Sequence, residues 1–175
     1  MEQKHNPIFT IGHSNVTAQQ LFSLLKMNNV QLLTDVRSIP YSRHSPQSNR
    51  EAIQSEARLS GIEYIYMGEY LGGKSKDVNI YDELGNLDYS QLAATDKFIE
   101  GIRKLIEAAA RYRVCLLCAE EDPSRCHRGL LISRELTKLG IEVCHIRHDG
   151  KVEPHENLEK RIPPVQRGLF SESKK

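Results

Sequence analysis

The segment Val114–Arg128, VCLLCAEEDPSRCHR, holds the densest set of reactive side chains in this chain. Its apolar first part is typical of a buried strand, and the Asp-Pro pair further on is typical of a helix start. Nucleophilic, acid–base and cationic groups therefore collect where a strand ends and a helix begins. Because ligands bind at that position in open α/β sheets, the segment indicates an enzyme or a ligand-binding domain. Its candidates are Cys118, Glu120, Cys126, His127 and Arg128.

Three of these candidates are consecutive, Cys126, His127 and Arg128, and the pattern predicts them in the first turn of a helix over 124–139. Exposed amides and the helix dipole at such a position favour anions and lower the pKa of a thiol. Cys126 is therefore a candidate nucleophile, and Arg128 could hold a phosphate or carboxylate with its planar guanidinium. The alternative for Cys126 is a small apolar residue packed against the sheet.

Metal or haem binding is a second chemistry that these residue types allow. The side chains that offer thiolate or imidazole ligands are His13, Cys118, Cys126 and His127. No pair has the spacing of a zinc finger, so no metal ligand is assigned and no cofactor is predicted beyond this alternative. Cys115 and Cys118 are three positions apart on a strand and point to opposite faces, so they should not share a metal or a disulfide.

Polar groups also follow the first two predicted strands. His13 and Ser14 come directly after Ile8–Ile11, and His13 is a candidate general acid or base. Asp35 and Arg37 end the second strand and, as alternate positions, share one face. Asp35 could orient a base and Arg37 could hold an anion. The alternative is that the two form a structural ion pair.

The loop after the second strand is locally basic and rich in turn residues. It offers Ser42, Arg43 and Asn49 as candidates for contacting a phosphate. Glu120 is the candidate carboxylate for proton transfer, because partial burial at a strand end would raise its pKa.

Alternating strands and helices must position these groups. Apolar runs predict strands over 8–11, 30–36, 62–67, 114–119 and 141–146. Capping boxes and apolar periodicity predict helices starting at 17–20 and 48–51, and others over 96–112 and 124–139. The polar, glycine-rich segment 68–87 is predicted as a long irregular connection. The expected fold is therefore α/β, a three-layer Rossmann-like sandwich with a mostly parallel sheet of about five strands.

Length and composition limit the number of domains, the partners and the cellular location that we expect. The 175 residues predict one α/β domain over 1–155 and a C-terminal tail over 156–175. The 24 basic and 23 acidic residues nearly balance, which disfavours nucleic acid as a partner. No apolar stretch has transmembrane length and the first residues lack a signal-peptide core, so we expect a cytoplasmic protein without membrane contact. Its four cysteines are then free thiols or ligands.

Short motifs along the chain, taken in their order and spacing, resemble a known family. They are Thr10-Ile-Gly-His-Ser14, Asp35-Val-Arg-Ser38, Pro40 with Ser42, Asn49, Leu71-Gly-Gly73, Leu117-Cys-Ala-Glu120, Cys126-His-Arg128, His145-Ile146, and Gly150 with His155. Together they resemble the domain of unknown function 488 family over about 8–155. The resemblance implies a small cytosolic α/β domain and implies no reaction.

The sequence therefore predicts an enzyme, a metal-independent hydrolase or group transferase, acting on an anionic small molecule that is nucleotide-like or a sugar phosphate. The candidate catalytic residues are His13, Asp35, Glu120, Cys126 and His127. The candidate binding residues are Ser14, Arg37, Ser42, Arg43, Asn49, Cys118 and Arg128. A metal- or haem-binding sensor that uses His and Cys ligands is the first alternative. A nucleic-acid-associated protein that uses the basic loop and tail is the second. The oligomeric state stays open.

Overall fold

The structure is a computed structural model, and it describes residues 6–162. Its strands are β1 (Ile8–Gly12), β2 (Leu32–Asp35), β3 (Glu63–Tyr66), β4 (Val114–Cys118), β5 (Val143–Ile146) and β6 (Val152–Pro154). They form one sheet in the order β3-β2-β4-β1-β5-β6, in which only the β5–β6 pair is antiparallel. The predicted α/β class and mostly parallel sheet are confirmed. The sixth strand was not predicted, because a three-residue edge strand ending in proline has no apolar pattern.

Helices cover both faces of this sheet. They are α1 (Ala18–Met27), α2 (Arg50–Leu59), α3 (Gly68–Leu71), α4 (Tyr89–Ala93), α5 (Asp96–Ala109), α6 (Arg134–Lys138) and α7 (His155–Arg161). The predicted capping box of α1 forms between Thr17 and Gln20. The one predicted at 48–51 does not form, because the N-cap of α2 is Asn49 rather than Ser48, and the Asn49 side chain accepts from the Ser42 amide at 2.7 Å. Within residues 6–162, no helix has the length and apolar character needed to cross a membrane.

Side-chain alternation along β4 divides the core into two layers. Val114, Leu116 and Cys118 pack in the cluster that includes α5 and α6, whereas Cys115 and Leu117 pack in the cluster that includes α1 and α2. The sheet therefore lies between two helical layers, which confirms the three-layer architecture. The prediction that Cys115 and Cys118 point to opposite faces is confirmed as well.

The helix predicted over 124–139 forms in pieces. A 3₁₀ turn covers Pro123–Arg125, and Cys126 follows in an extended conformation with φ −138° and ψ 142°. A π-helix over Arg128–Ser133 then leads into α6. The Ser133 hydroxyl donates to the Arg128 carbonyl at 2.5 Å, inside the widened turn. Cys126 therefore lies just before the helical residues rather than in their first turn, which corrects its predicted placement, and its carbonyl accepts from the Gly129 and Leu130 amides, each at 3.0 Å.

The segment 68–87 is less irregular than predicted. Besides α3, it contains a 3₁₀ turn over Val78–Ile80 and an isolated β-bridge between Tyr81 and Leu87. The Tyr81 hydroxyl also accepts from the Ser75 amide at 2.9 Å. Such contacts order a segment that shows no hydrophobic period, which is why sequence patterns did not reveal them.

The predicted C-terminal tail begins inside α7. Leu158 is fully buried, and Arg161 forms ion pairs with Glu153 and Asp122. The domain therefore continues through α7, and the boundary predicted at 155 is too early. The rest of the predicted tail, 163–175, lies outside the described residues.

Candidate functional site

The carboxyl ends of β1, β2 and β4 adjoin at one edge of the sheet. The His13 amide donates to the Cys118 carbonyl at 2.9 Å, and the Val36 amide donates to the Leu117 carbonyl at 3.1 Å. These bonds continue the strand pairing of β4 with both neighbours. The edge therefore brings together His13, Asp35 and Cys118 from three distant parts of the chain.

Three predicted ligand residues, Cys118, Cys126 and His127, form a compact group that we call the thiol–imidazole centre. Their ligand atoms all lie within 4.8 Å of one another. The two Sγ atoms are 3.0 Å apart, and the Nδ1 of His127 is 3.7 Å from the Sγ of Cys118 and 3.9 Å from that of Cys126. Both cysteines are buried free thiols, and His127 is half-buried.

The orientation of the His127 ring follows from its other nitrogen. Nε2 lies 3.1 Å from the Val36 carbonyl oxygen, which can only accept, so Nε2 carries the proton. The lone pair of the neutral imidazole is then on Nδ1, which faces the two sulfurs. The backbone of Gly73 packs against the same ring, where an added Cβ would stand 2.6 Å from Cγ. Only glycine allows this loop to cover the imidazole so closely.

The two thiols of the centre differ in acidity. Cys126 Sγ donates to Cys118 Sγ, and this bond is the main reason that the pKa of Cys118 lies below its ordinary value, with burial opposing it and Arg128 assisting. The same bond, followed by burial, raises the pKa of Cys126. The more acidic thiol is therefore Cys118, whereas the sequence singled out Cys126 as the nucleophile.

Tyr89 of α4 lies near the same thiols. Burial, together with the neighbouring Cys126 and Cys118, raises the pKa of this phenol to about 12. No sequence pattern singled out Tyr89, because it comes from a short helix that is remote along the chain. Its proximity to the centre arises from the packing of α4.

His13 is buried at the end of β1 and is suited to accept a proton. Its Nδ1 lies 2.8 Å from the Ser14 carbonyl oxygen, so the neutral ring carries its lone pair on Nε2. Burial lowers the pKa of His13, and the positive charge of Arg37 adds to this, against the backbone bond to Ser14. Ser14 itself has φ 42°, a strained conformation of the kind found at functional sites.

Asp35 and Arg37 form a buried two-pronged ion pair, which we call the carboxylate–guanidinium pair. Arg37 Nε donates to Asp35 Oδ1 at 2.8 Å, and Nη2 donates to Oδ2 at 2.5 Å. Arg37 Nη1 donates to the Ser48 carbonyl at 2.7 Å, and the Tyr64 hydroxyl donates to Asp35 at 2.8 Å. The structure thus has the structural ion pair that the sequence left open. Both groups are bound to each other rather than directed to a base or a substrate.

Arg128 is fully buried and stabilises the loop after β4. Its Nη1 and Nη2 donate to the carbonyls of Glu120 and Glu121, each at 2.8 Å, and its Nε donates to Thr10 Oγ1 at 3.1 Å. With 0% of the residue exposed, no part of the guanidinium faces solvent. This arrangement corrects the expectation that Arg128 holds a ligand phosphate or carboxylate.

Among the described residues, the remaining candidates make no polar contact with the thiol–imidazole centre. Asn49 and Ser42 stabilise their own loop, since Asn49 accepts from the Ser42 amide and Ser42 Oγ accepts from the His44 amide. Arg43 and Glu120 are exposed. The expected partial burial of Glu120 at the strand end is therefore wrong. Within residues 6–162, no hydrogen bond or ion pair joins these side chains to the thiol–imidazole centre.

A buried histidine pair connects Arg128 to α7. His145 Nδ1 lies 2.7 Å from Thr10 Oγ1, and its Nε2 lies 3.0 Å from Nδ1 of His155. Burial is the largest cause of the lowered pKa values of both imidazoles. The sequence signal for this pair was the presence of both histidines among the family motifs, but their contact depends on how α7 packs.

The fold and the site together define a small α/β domain with a buried thiol–imidazole centre at the carboxyl edge of its sheet. Residues 17–134 match the family described as Domain of unknown function DUF488, and the chain belongs to that family. The matched region includes Cys118, Cys126 and His127, whereas His13 precedes it. No curated protein and no solved structure matches the chain. The predicted resemblance is therefore confirmed, and the family description names no reaction.

Proposed function

We propose that this protein is a metal-dependent enzyme, a hydrolase or group transferase, whose metal ion is held by Cys118, Cys126 and His127. The observation that carries the proposal is the convergence of two thiols and one imidazole nitrogen in a buried corner. Thiolate and imidazole are the ligands that zinc prefers in proteins, so zinc is the metal proposed.

The separations of the ligand atoms are close to those of a zinc site. Tetrahedral zinc, with bonds of about 2.3 Å to sulfur and about 2.0–2.1 Å to nitrogen, requires neighbouring ligand atoms roughly 3.6–3.8 Å apart. The observed nitrogen–sulfur distances are 3.7 and 3.9 Å. The sulfurs, at 3.0 Å, are drawn together by their hydrogen bond. Metal binding would replace that thiol proton and separate the sulfurs by roughly 0.7 Å.

The number of ligands supports a catalytic rather than a structural metal. Structural zinc sites have four protein ligands, whereas catalytic sites have three and leave one position for water or substrate. Within residues 6–162, no fourth histidine, cysteine or carboxylate joins the group. A metal at such a site supplies Lewis acidity to whatever occupies the open position.

Two further contacts fit this role. The bond from His127 Nε2 to the Val36 carbonyl is the kind of outer contact that fixes the tautomer and orientation of a metal-binding imidazole. His13, directly after the strand next to β4, supports proton transfer because burial lowers the pKa of its imidazole and Nδ1 faces the Ser14 carbonyl, which leaves Nε2 to accept a proton.

The test is the metal content of the wild-type protein and of three variants, Cys118→Ser, Cys126→Ser and His127→Gln. Purified protein is loaded with Zn²⁺ and examined by native mass spectrometry and elemental analysis, and Co²⁺ is used to detect thiolate ligation by absorption. We expect one metal ion per wild-type chain and loss of tight binding in each variant. Cys144→Ser is the matched control, because Cys144 is a free cysteine in the opposite core layer. Equal binding by wild type and the three variants would exclude the proposal.

A metal-free thiolate is the second candidate, and the lowered pKa of Cys118 favours it. Cys118 would then act as the nucleophile of group transfer, with the thiol of Cys126 stabilising its negative charge. Alkylation by iodoacetamide followed by peptide mapping distinguishes the two. Selective labelling of Cys118 that added zinc does not prevent would favour the thiolate, whereas protection by zinc would favour the metal.

The proposed substrate is the anionic small molecule expected from the sequence, nucleotide-like or a sugar phosphate. Two of the three arginines expected to hold it, Arg37 and Arg128, are bound to Asp35 and to backbone carbonyls, and the third, Arg43, is exposed and forms no hydrogen bond with the centre within residues 6–162. Recognition of an anion therefore requires other cations near the centre.

A further inference from the structure

A groove of about 740 Å³ adjoins the thiol–imidazole centre. Residues that line it include Ser38, Tyr70, Lys74, Lys76, Thr95 and Lys97, and we call it the lysine groove. Two of its lining residues are close in sequence to residues that contact His127. Ser38 comes two residues after Val36, whose carbonyl accepts from the His127 ring, and Gly72 comes directly before Gly73, which packs on that ring. The segments that line the groove therefore continue into the segments that hold His127.

The charge of the lysine groove is positive. Its lining includes three lysines, Lys74, Lys76 and Lys97, and two acidic residues, Glu69 and Asp77. The Asp77 carboxylate already accepts from the amide and the side chain of Asn79. In the part of the chain that the structure describes, no carboxylate lies within ion-pair distance of these three lysines.

Further donors surround these ammonium groups. Ser38 Oγ accepts from the Lys74 amide at 3.0 Å, which leaves its hydroxyl hydrogen to donate to a ligand. The ring of Tyr70 has the Lys104 ammonium 4.5 Å from its centre and the Lys97 ammonium at 5.8 Å. This wall thus presents positive charge and hydroxyl donors, which is the set that binds phosphate oxygens.

We propose that the lysine groove binds the phosphate of a phosphorylated small molecule, whose remaining part extends toward the thiol–imidazole centre. As a substrate site, the inference rests on the proposed function. The groove volume is in the range of about 300–1,000 Å³ that is typical of small-molecule sites. The lysines replace the buried arginines as the anion-binding groups. Gly72 and Ser38 line the groove within two residues of Gly73 and Val36, the His127 contacts, so the rest of the ligand extends along these segments toward His127.

The test measures, by calorimetry, the binding of adenosine monophosphate and ribose 5-phosphate to the full chain. Adenosine and ribose, which lack the phosphate, are the uncharged controls. We expect binding of the two phosphorylated probes only. The double variant Lys74→Glu/Lys97→Glu should weaken it by about tenfold or more through charge reversal. Lys151→Glu is the matched control, because Lys151 is an exposed lysine outside the groove, and it should bind like wild type. Lys97→Gln, a milder change, covers the case that the double variant misfolds.

Repeating the titration in His127→Gln separates this inference from the metal proposal. If the phosphorylated probes still bind to this variant and still require the lysines, the groove inference holds even where the metal proposal fails. If binding requires His127 and is unaffected by the lysine substitutions, the phosphate lies at the centre and the inference is wrong. Absence of binding by either phosphorylated probe would also overturn it, as would much tighter binding of a single-stranded oligonucleotide than of the mononucleotide.

Discussion

The thiol–imidazole centre and the carboxylate–guanidinium pair lie at the same edge of the sheet and are both largely buried, yet their hydrogen bonding differs. In the pair, Arg37 and Asp35 are hydrogen-bonded to each other. The Ser48 carbonyl accepts from Arg37, and the Tyr64 hydroxyl donates to Asp35. In the centre, an imidazole lone pair and two sulfurs face one another with only weak thiol donors between them. A closed set of strong hydrogen bonds stabilises a fold, whereas converging lone pairs are suited to bind a cation.

The same distinction applies to the other buried polar groups. The guanidinium of Arg128 is bound to two carbonyls and to Thr10, which in turn contacts His145. At Arg128 and Thr10 this network is closed in the same sense as the carboxylate–guanidinium pair, whereas Nε2 of His155 at its far end is buried without a hydrogen-bond partner among the described residues. A buried arginine at a ligand-binding edge therefore does not by itself indicate an anion site, because its partners decide its role.

Breaking the carboxylate–guanidinium pair should have the largest effect. Asp35→Asn leaves the charge of Arg37 buried without its partner, so we expect a loss of about 3–5 kcal/mol in the free energy of unfolding, measured with urea at pH 7. Tyr64→Phe removes one hydrogen bond to the same carboxylate and should cost about 1 kcal/mol. Asp149→Asn, in an exposed ion pair, should change little. A cost for Asp35→Asn no greater than that for Tyr64→Phe would show that the pair is not a closed structural unit.

Zinc should stabilise the protein through the centre alone. At a free zinc concentration of about 100 times the dissociation constant, wild type should gain about 2.7 kcal/mol in unfolding free energy. The unfolding free energy of Cys118→Ser should not rise with zinc. Tyr64→Phe should retain the whole gain, because Tyr64 contacts the carboxylate–guanidinium pair and not the centre. Urea unfolding with and without zinc measures the gain in wild type and in each variant. An equal gain in Cys118→Ser would place the metal elsewhere.

Gly73→Ala should disturb the centre sterically. The added Cβ would lie 2.6 Å from Cγ and 2.8 Å from Nδ1 of His127, so the ring or the loop must shift. We expect a loss of about 1–3 kcal/mol from overpacking, together with weaker zinc binding. Lys74→Ala, at the next position, controls for a change in the same loop. Unchanged zinc affinity in Gly73→Ala would mean that the ring need not hold its present orientation.

The histidine pair should make stability depend on pH. His145 and His155 have lowered pKa values, so the unfolded chain binds protons before the folded chain does. Their contribution is complete above the ordinary value of 6.5 and is lost as the pH falls below it. The slope should reach about 1.4 kcal/mol per pH unit for each histidine. We expect His155→Gln to flatten it in unfolding experiments from pH 7.5 to 5.5.

The exposed His44→Gln variant is the control for the loss of an imidazole as such. The experiment is run with a chelator so that metal binding does not contribute. A slope in His155→Gln equal to that of wild type would mean that His155 does not titrate in this pH range.

Local pattern was sufficient for most of the fold. The apolar runs that became β1 and β4, and the capping box of α1, are short-range signals that packing did not change. The edge strand β6 and the helix α7 were missed because both depend on long-range contacts, such as the burial of Leu158. The break at Cys126 was missed because its extended conformation joins two kinds of helical turn with no proline or glycine at that position.

The sequence by itself determined that His13, Asp35 and Cys118 share one edge, since parallel strands bring their carboxyl ends together. It also determined the face of Cys118, because side chains alternate along a strand. Only the tertiary structure decided which polar groups pair. The bond that orients His127 comes from the carbonyl of Val36, 91 positions away. A hydrogen bond depends on distances of a few ångströms between remote segments, and neither residue type nor local period carries that information.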